Sequence, residues 1–180
     1  APPRFAIAGL SMGGILAMEI LRLAPKRVVG LALMDTNPRA ETDAVKTRRT
    51  PQIAAALAGD LRRVMRDEMK PNYLADGPNT GAILDLCMAM ATDLGPEVFI
   101  RQSNALRDRP DQQDTLRTFK GPALVLCGKE DTLCPPERHH LMHKLLRNSR
   151  LEIIPGAGHL PTLEQPELTT KALSDWLEIL

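Results

Sequence analysis

Phe5-Ala6-Ile7-Ala8-Gly9-Leu10-Ser11-Met12-Gly13-Gly14 joins a short apolar run to a Gly-x-Ser-x-Gly pentapeptide and then to a helical pattern. The apolar run over 5–9 is consistent with a buried parallel strand. A helix is expected over about 12–24, with Ile15, Ala17, Met18, Leu21 and Leu23 on its apolar side. Pro25 ends it, because proline disfavours the α conformation in the residue before it. A serine held between strand and helix in this pattern is the context of a nucleophile elbow. Such a turn strains the serine backbone and lifts the hydroxyl above the sheet, and Gly9 and Gly13 are expected to let neighbouring backbone approach closely. The helix start after Ser11 aims backbone N–H groups at a reacting oxygen, which makes the Met12 N–H one candidate oxyanion-hole donor. The competing reading of Ser11 is a helix N-cap serine after a glycine turn.

Outward from the elbow, Val28-Val29-Gly30-Leu31-Ala32-Leu33-Met34 reads as a second buried strand, closed by Asp35-Thr36-Asn37-Pro38. The character then changes, and no strand pattern is found from about 39 to 120. Helical patterns broken by Gly and Pro are expected near 44–57, 60–69, 80–93, 96–107 and 112–119. This is too much helix for one crossover, so residues 39–118 are expected to form an inserted helical cap. The core is then 1–38 with 119–180. Strand and helix alternate again from Ala123-Leu124-Val125-Leu126-Cys127. A helix over 136–147, a strand over 151–155 and a helix over 166–180 complete the chain. The last helix is expected to turn Leu168, Ala172, Leu173, Trp176 and Leu177 toward a core.

A serine hydroxyl is a poor nucleophile without a base. The candidate base is His159, in Gly156-Ala157-Gly158-His159-Leu160-Pro161 on the loop after a strand. There it would take the Ser11 proton. The candidate orienting acid is Asp131, in Gly128-Lys129-Glu130-Asp131, also just after a strand. It would fix the imidazole tautomer and stabilise the imidazolium. Glu130 in that role is the competing reading for Asp131, and a structural histidine is the competing reading for His159. Loops at the carboxyl ends of parallel strands are where such sites form.

These segments resemble the α/β-hydrolase fold superfamily, in its capped esterase, lactonase and C–C hydrolase branch. The resemblance is carried by Gly9-Leu10-Ser11-Met12-Gly13-Gly14, by Cys127 to Pro135 and by Gly156 to Glu167. The order Ser11, Asp131, His159 is the order of that superfamily. It implies an α/β fold whose parallel sheet contributes its last four strands here, with flanking helices and an inserted helical cap. It also favours Asp131 over Glu130, since the family acid follows the strand-ending glycine by two or three residues. Family members carry further strands before the elbow, so those strands and the loop supplying the second oxyanion donor are expected to lie outside this chain. The first strand would then be an exposed apolar edge, which favours self-association. The expected activity is hydrolysis of a carboxylic ester or lactone through an acyl-enzyme. The alternatives are a truncated, weak or inactive domain that binds a partner, and C–C bond or thioester hydrolysis.

Composition narrows the partners. The formal net charge is +1, from 23 basic and 22 acidic residues, which points to neither nucleic acid nor a membrane surface. Arg48-Arg49 and Arg62-Arg63 read as solvated helix faces. The three cysteines, Cys87, Cys127 and Cys134, are widely spaced, so no disulfide framework or zinc site is expected and the setting is read as cytoplasmic. Ala1-Pro2-Pro3-Arg4-Phe5 lacks the charged-then-apolar order of a signal peptide. His139, His140 and His143 form H-H-x-x-H but lack the intervening Glu of a zincin and read as solvent-exposed. Met65, Met69, Met88 and Met90 read as helix packing, with pocket lining as the competing reading. No cofactor and no metal are expected. The expected partner is a small-molecule ester or lactone.

Overall fold

The computed structural model describes residues 2–180. Its sheet has the strands β1 (Phe5–Leu10), β2 (Val28–Met34), β3 (Ala123–Gly128) and β4 (Ser149–Ile154), in that spatial order and all parallel. Ala8 lies beside Ala32, Leu33 beside Val125, and Val125 beside Leu151. β1 and β4 form the edges of this sheet.

Strand alternation sends neighbouring residues to opposite faces, and each face builds its own core. On one face Leu31, Leu33 and Val125 meet Ala17, Met18 and Leu21 of α1 (Met12–Leu23), Leu116 of α5 (Gln113–Thr118) and Met142 of α6 (Pro136–Leu145). On the other face Ala32, Met34, Leu124 and Leu126 meet Ala172 and Trp176 of the last helix, α7 (Pro166–Leu177). Both faces are covered, which is why β2 and β3 read as continuous apolar runs.

The last helix stops at Leu177, and its buried residues are Thr169, Ala172 and Trp176. Leu168 and Leu177, expected in the core, are exposed. Thr169 takes the inward place because its hydroxyl donates to the Pro161 and Gln165 carbonyls, both at 2.9 Å. A polar side chain with local partners can occupy a buried helix face that an apolarity pattern reserves for leucine.

Between β2 and α5 only helices occur among the described residues, as expected. They are α2 (Asp43–Leu57), α3 (Leu61–Val64) and α4 (Thr80–Arg107). The single helix expected over 60–69 is instead α3 followed by a π turn at Met65–Met69 and a 3-10 turn at Lys70–Asn72. Pro71 has no N–H to continue an α ladder there. Within α4, Gly95 takes φ 79 and ψ 173 and breaks the helical path just before Pro96. The two helices expected over 80–93 and 96–107 therefore meet at a left-handed glycine, a conformation that glycine adopts without steric cost. This segment has its own apolar cluster of Ala56, Leu61 and Met65, with Met69, Tyr73, Met88, Ala91, Phe99 and Ile100 packed against it. Met90, expected to pack, is exposed. No described helix is long and apolar enough to cross a membrane.

Glu41, on the loop after β2, accepts hydrogen bonds from Arg49 of α2 and from Arg109 at 2.8 Å, which ties α2 to the linker after α4. Arg49 is thus a half-buried ion-pair partner and not part of a solvated face. Its side chain is 16% exposed and that of Glu41 is 2% exposed.

Candidate active site

The carboxyl ends of the four strands converge. Ser11 follows β1 directly, Asp35 follows β2, Asp131 lies three residues beyond Gly128, and His159 lies on the loop after β4. The elbow is as strained as its pattern implies, with Ser11 at φ 51 and ψ −114. Gly9 is required by close approach, since a Cβ there would lie 2.2 Å from the Gly13 backbone. Gly13 departs from expectation, because a Cβ on it would meet nothing within 4 Å. The crowding is one-sided, and Gly13 supplies the backbone that Gly9 must clear.

Ser11, His159 and Asp131 form a hydrogen-bonded chain. The Ser11 hydroxyl donates to His159 Nε2 at 2.8 Å, and His159 Nδ1 donates to Asp131 Oδ2 at 2.8 Å. The other Asp131 oxygen accepts the Leu133 and Cys134 N–H groups at 2.8 and 2.9 Å. Burial alone would push the Asp131 carboxyl up. The hydrogen bond and charge of His159, with the Cys134 N–H, outweigh it and hold the carboxyl below its ordinary range. An ionised Asp131 requires the imidazole proton on Nδ1, leaving Nε2 to accept from Ser11. Such an arrangement can pass a hydroxyl proton to an imidazole whose resulting charge faces a carboxylate.

The neighbouring Glu130 does something else. Its Oε2 accepts the Ala157 N–H at 3.1 Å, bracing the loop that carries His159. Glu164 braces the same loop, accepting the N–H groups of Gly158 at 2.9 Å and Leu160 at 3.0 Å and that of Ala75 at 2.7 Å. The Tyr73 carbonyl accepts the His159 N–H at 2.7 Å, and the two rings stack with centroids 6.3 Å apart. Sequence reading did not single out Tyr73, which lies in an irregular segment with no periodicity to mark it.

A second layer lies behind this chain. Asp35 is fully buried, takes φ 45 and accepts the Gly128 N–H at 2.9 Å on Oδ1, while Oδ2 has no partner among the described residues. Burial, together with the charge of Asp131, pushes its carboxyl up to about 9, although the Gly128 N–H works the other way. His139 corrects the reading of H-H-x-x-H. It is fully buried, and Nε2 accepts the Thr36 N–H at 3.1 Å. Burial lowers it to about 4, so it is a neutral acceptor inside the protein. Thr36 in turn donates its hydroxyl to the Ser11 carbonyl at 2.7 Å.

Ser11, Met12 and His159 open onto a cavity of about 590 Å³ between the strand ends and the helical segment. Met65 and Met69 line it, against the expectation of packing alone, and Val98, Phe99 and Leu106 of α4 add further apolar wall. Asp131, Cys134 and His159 offer ligand atoms within 4.8 Å of one another. The Cys134 thiol, however, is pushed up to about 12 by burial and the Asp131 charge, while His159 and Asp131 already satisfy each other. This set is a hydrogen-bonded pair beside an inert thiol.

The sequence pattern of the alpha/beta hydrolase family matches residues 1–172. The chain belongs to this family. A thermophilic esterase from Thermogutta terrifontis is similar over 98% of this chain, at 31% identity and a TM-score of 0.87. An esterase from Exiguobacterium antarcticum is similar over 96% of it, at 25% identity and a TM-score of 0.82. A pimeloyl-acyl-carrier-protein methyl ester esterase of Nitrosospira multiformis is 26% identical over 92% of this chain. The chain spans about two thirds of the length of these relatives, 65% of the first and third and 66% of the second. The family fold is an α/β fold with a parallel sheet and flanking helices, as observed here.

Proposed function

We propose that this α/β-hydrolase chain carries the nucleophile and proton relay of a serine hydrolase acting on a carboxylic ester or lactone. The observation that carries the reading is the unbroken chain of 2.8 Å hydrogen bonds from Ser11 through His159 to Asp131, opening onto a largely apolar cavity. Ser11 Oγ attacks the ester carbonyl as His159 Nε2 takes its proton. The Met12 N–H, at a helix start where the first N–H groups lack intrahelical partners, donates to the developing oxyanion. His159 then returns the proton to the leaving alkoxide, and water hydrolyses the acyl-Ser11 ester by the same relay. Esterases among the chain's relatives support an ester as the bond broken. The helical segment over 39–118 acts as a cap in this reading, supplying the apolar wall of the acyl pocket.

The test is labelling of the chain by a fluorophosphonate, with Ser11→Ala and His159→Gln alongside. Labelling of the unsubstituted chain alone is expected. Equal labelling of Ser11→Ala sinks the assignment of Ser11.

A further inference from the structure

The cavity wall is strongly cationic for so apolar a space. Arg39, Arg48, Arg49, Arg109 and Arg138 line it, and Glu41 is the one carboxylate among the described lining residues. Arg49 and Arg109 are both engaged with Glu41. Arg39 and Arg48 are exposed and also lack a carboxylate partner among the described residues, whereas Arg138, the third residue of α6, is anchored. It is half-buried, and its Nη1 donates to the Leu133 carbonyl at 2.7 Å and contacts Cys134 Sγ at 3.7 Å. No carboxylate pairs with it among the described residues, and its Nε and Nη2 groups have no partner there. Those two groups form the edge that matches a carboxylate bidentately.

Its position is close to the proposed chemistry. Cys134 Sγ lies within 4.8 Å of ligand atoms of both His159 and Asp131, so one sulfur atom separates the guanidinium from the relay. Its contacts to the Leu133 carbonyl and to Cys134 Sγ hold the side chain beside the turn whose Leu133 and Cys134 N–H groups bind Asp131. A guanidinium on the cavity wall, fixed on one side and with its Nε and Nη2 groups unused, favours an anionic partner.

We propose that Arg138 is a specificity-determining residue that binds a second carboxylate on the substrate, a few carbons from the scissile carbonyl. The substrate class is then a small ester or lactone of a dicarboxylic acid. This inference rests on the reading of Ser11 as nucleophile. It adds that the cavity selects charge as well as bond type.

Two esters of matched length test it in the full chain: monomethyl glutarate, which bears a carboxylate, and methyl pentanoate, which does not. The unsubstituted chain is expected to favour monomethyl glutarate in kcat/KM by about ten- to hundredfold, the range of a hydrogen-bonded charge contact. In Arg138→Met that ratio is expected to fall to near one through the KM of the anionic ester, with Arg138→Lys in between. A ratio near one in the unsubstituted chain, or the same ratio in Arg138→Met, overturns the proposal. Calorimetric binding of glutarate dianion is scored separately. It is expected in the unsubstituted chain and in Ser11→Ala, and at least tenfold weaker in Arg138→Met; equal binding in all three overturns the proposal. Ester turnover that survives Ser11→Ala fails the nucleophile reading instead, and leaves the glutarate result to decide this one.

Discussion

Glu130 and Asp131 are adjacent carboxylates on one loop, yet they face different partners. Glu130 takes the Ala157 N–H, and Asp131 takes the His159 ring. Asp131→Asn is expected to lower ester turnover about 10⁴-fold by disturbing the imidazole tautomer. Glu130→Gln keeps an acceptor for Ala157 and is expected to cost less than about tenfold. Steady-state kinetics of the two variants separates them, and a comparable loss in both would contradict the division of roles. Loop position was enough to place the acid within two residues. The resemblance, counted from the strand-ending Gly128, favours Asp131, and it is Asp131 Oδ2 that lies 2.8 Å from His159 Nδ1. The elbow glycines differ in a way their pattern does not show. Gly9 and Gly13 are equivalent in the pattern, but a side chain is excluded at Gly9 alone.

At the scale of elements, the strands and most helices were legible because their patterns are local. Apolar runs mark β1 to β4, and Pro25 and Pro96 punctuate the helices. The expectation of one helix over 60–69 fails where Pro71 withholds an N–H, and that of Leu168 and Leu177 in the core fails because Thr169, held by local hydrogen bonds, takes the inward place. What ties the start of the helical segment to the linker at its end was not legible, since Arg109 lies 68 residues from Glu41. Glu41→Ala leaves two guanidinium groups without their carboxylate. It is expected to destabilise the fold by about 2–3 kcal/mol, less than a fully enclosed broken pair because the cluster borders the cavity. Urea unfolding reads the cost, and limited proteolysis is expected to accelerate first within residues 43–107. An unchanged midpoint would show that the cluster does not hold this segment.

For the whole molecule, two buried groups behind the relay make stability depend on pH with opposite signs. Asp35, raised to about 9, holds a proton in the folded state that the unfolded chain loses near its ordinary value of ~4. Its contribution is complete below that value and is lost as pH rises through about 9. His139, lowered to about 4, contributes fully above its unfolded value of ~6.5 and loses that contribution as pH falls through about 4. The slopes oppose between ~4 and ~6.5, and above that range Asp35 acts without His139. Calorimetric melting of Asp35→Asn is expected to show a shallower decline than the parent between about pH 6.5 and 8.5, and His139→Gln a shallower loss toward pH 4. Matching slopes in Asp35→Asn and the parent would exclude a neutral buried acid.

The α/β class, the strand and helix order and the candidacy of Ser11, Asp131 and His159 were legible in the linear order of residues. Each depends on local chemistry: an apolar run, a turn glycine, a serine, acid or histidine just past a strand end. Packing in three dimensions places the Asp131 carboxylate, favoured by the resemblance, against His159, buries His139, and makes Gly9 rather than Gly13 sterically bound. It alone brought Tyr73, Asp35, Glu164 and Arg138 to one end of the sheet. These are relations between residues distant in sequence, and parallel strands joined by long crossovers place such residues together without any spacing that a linear reading can detect. The elbow at Ser11 was legible because turn, strand and helix are contiguous, whereas the environment that would make it selective is assembled from every part of the chain.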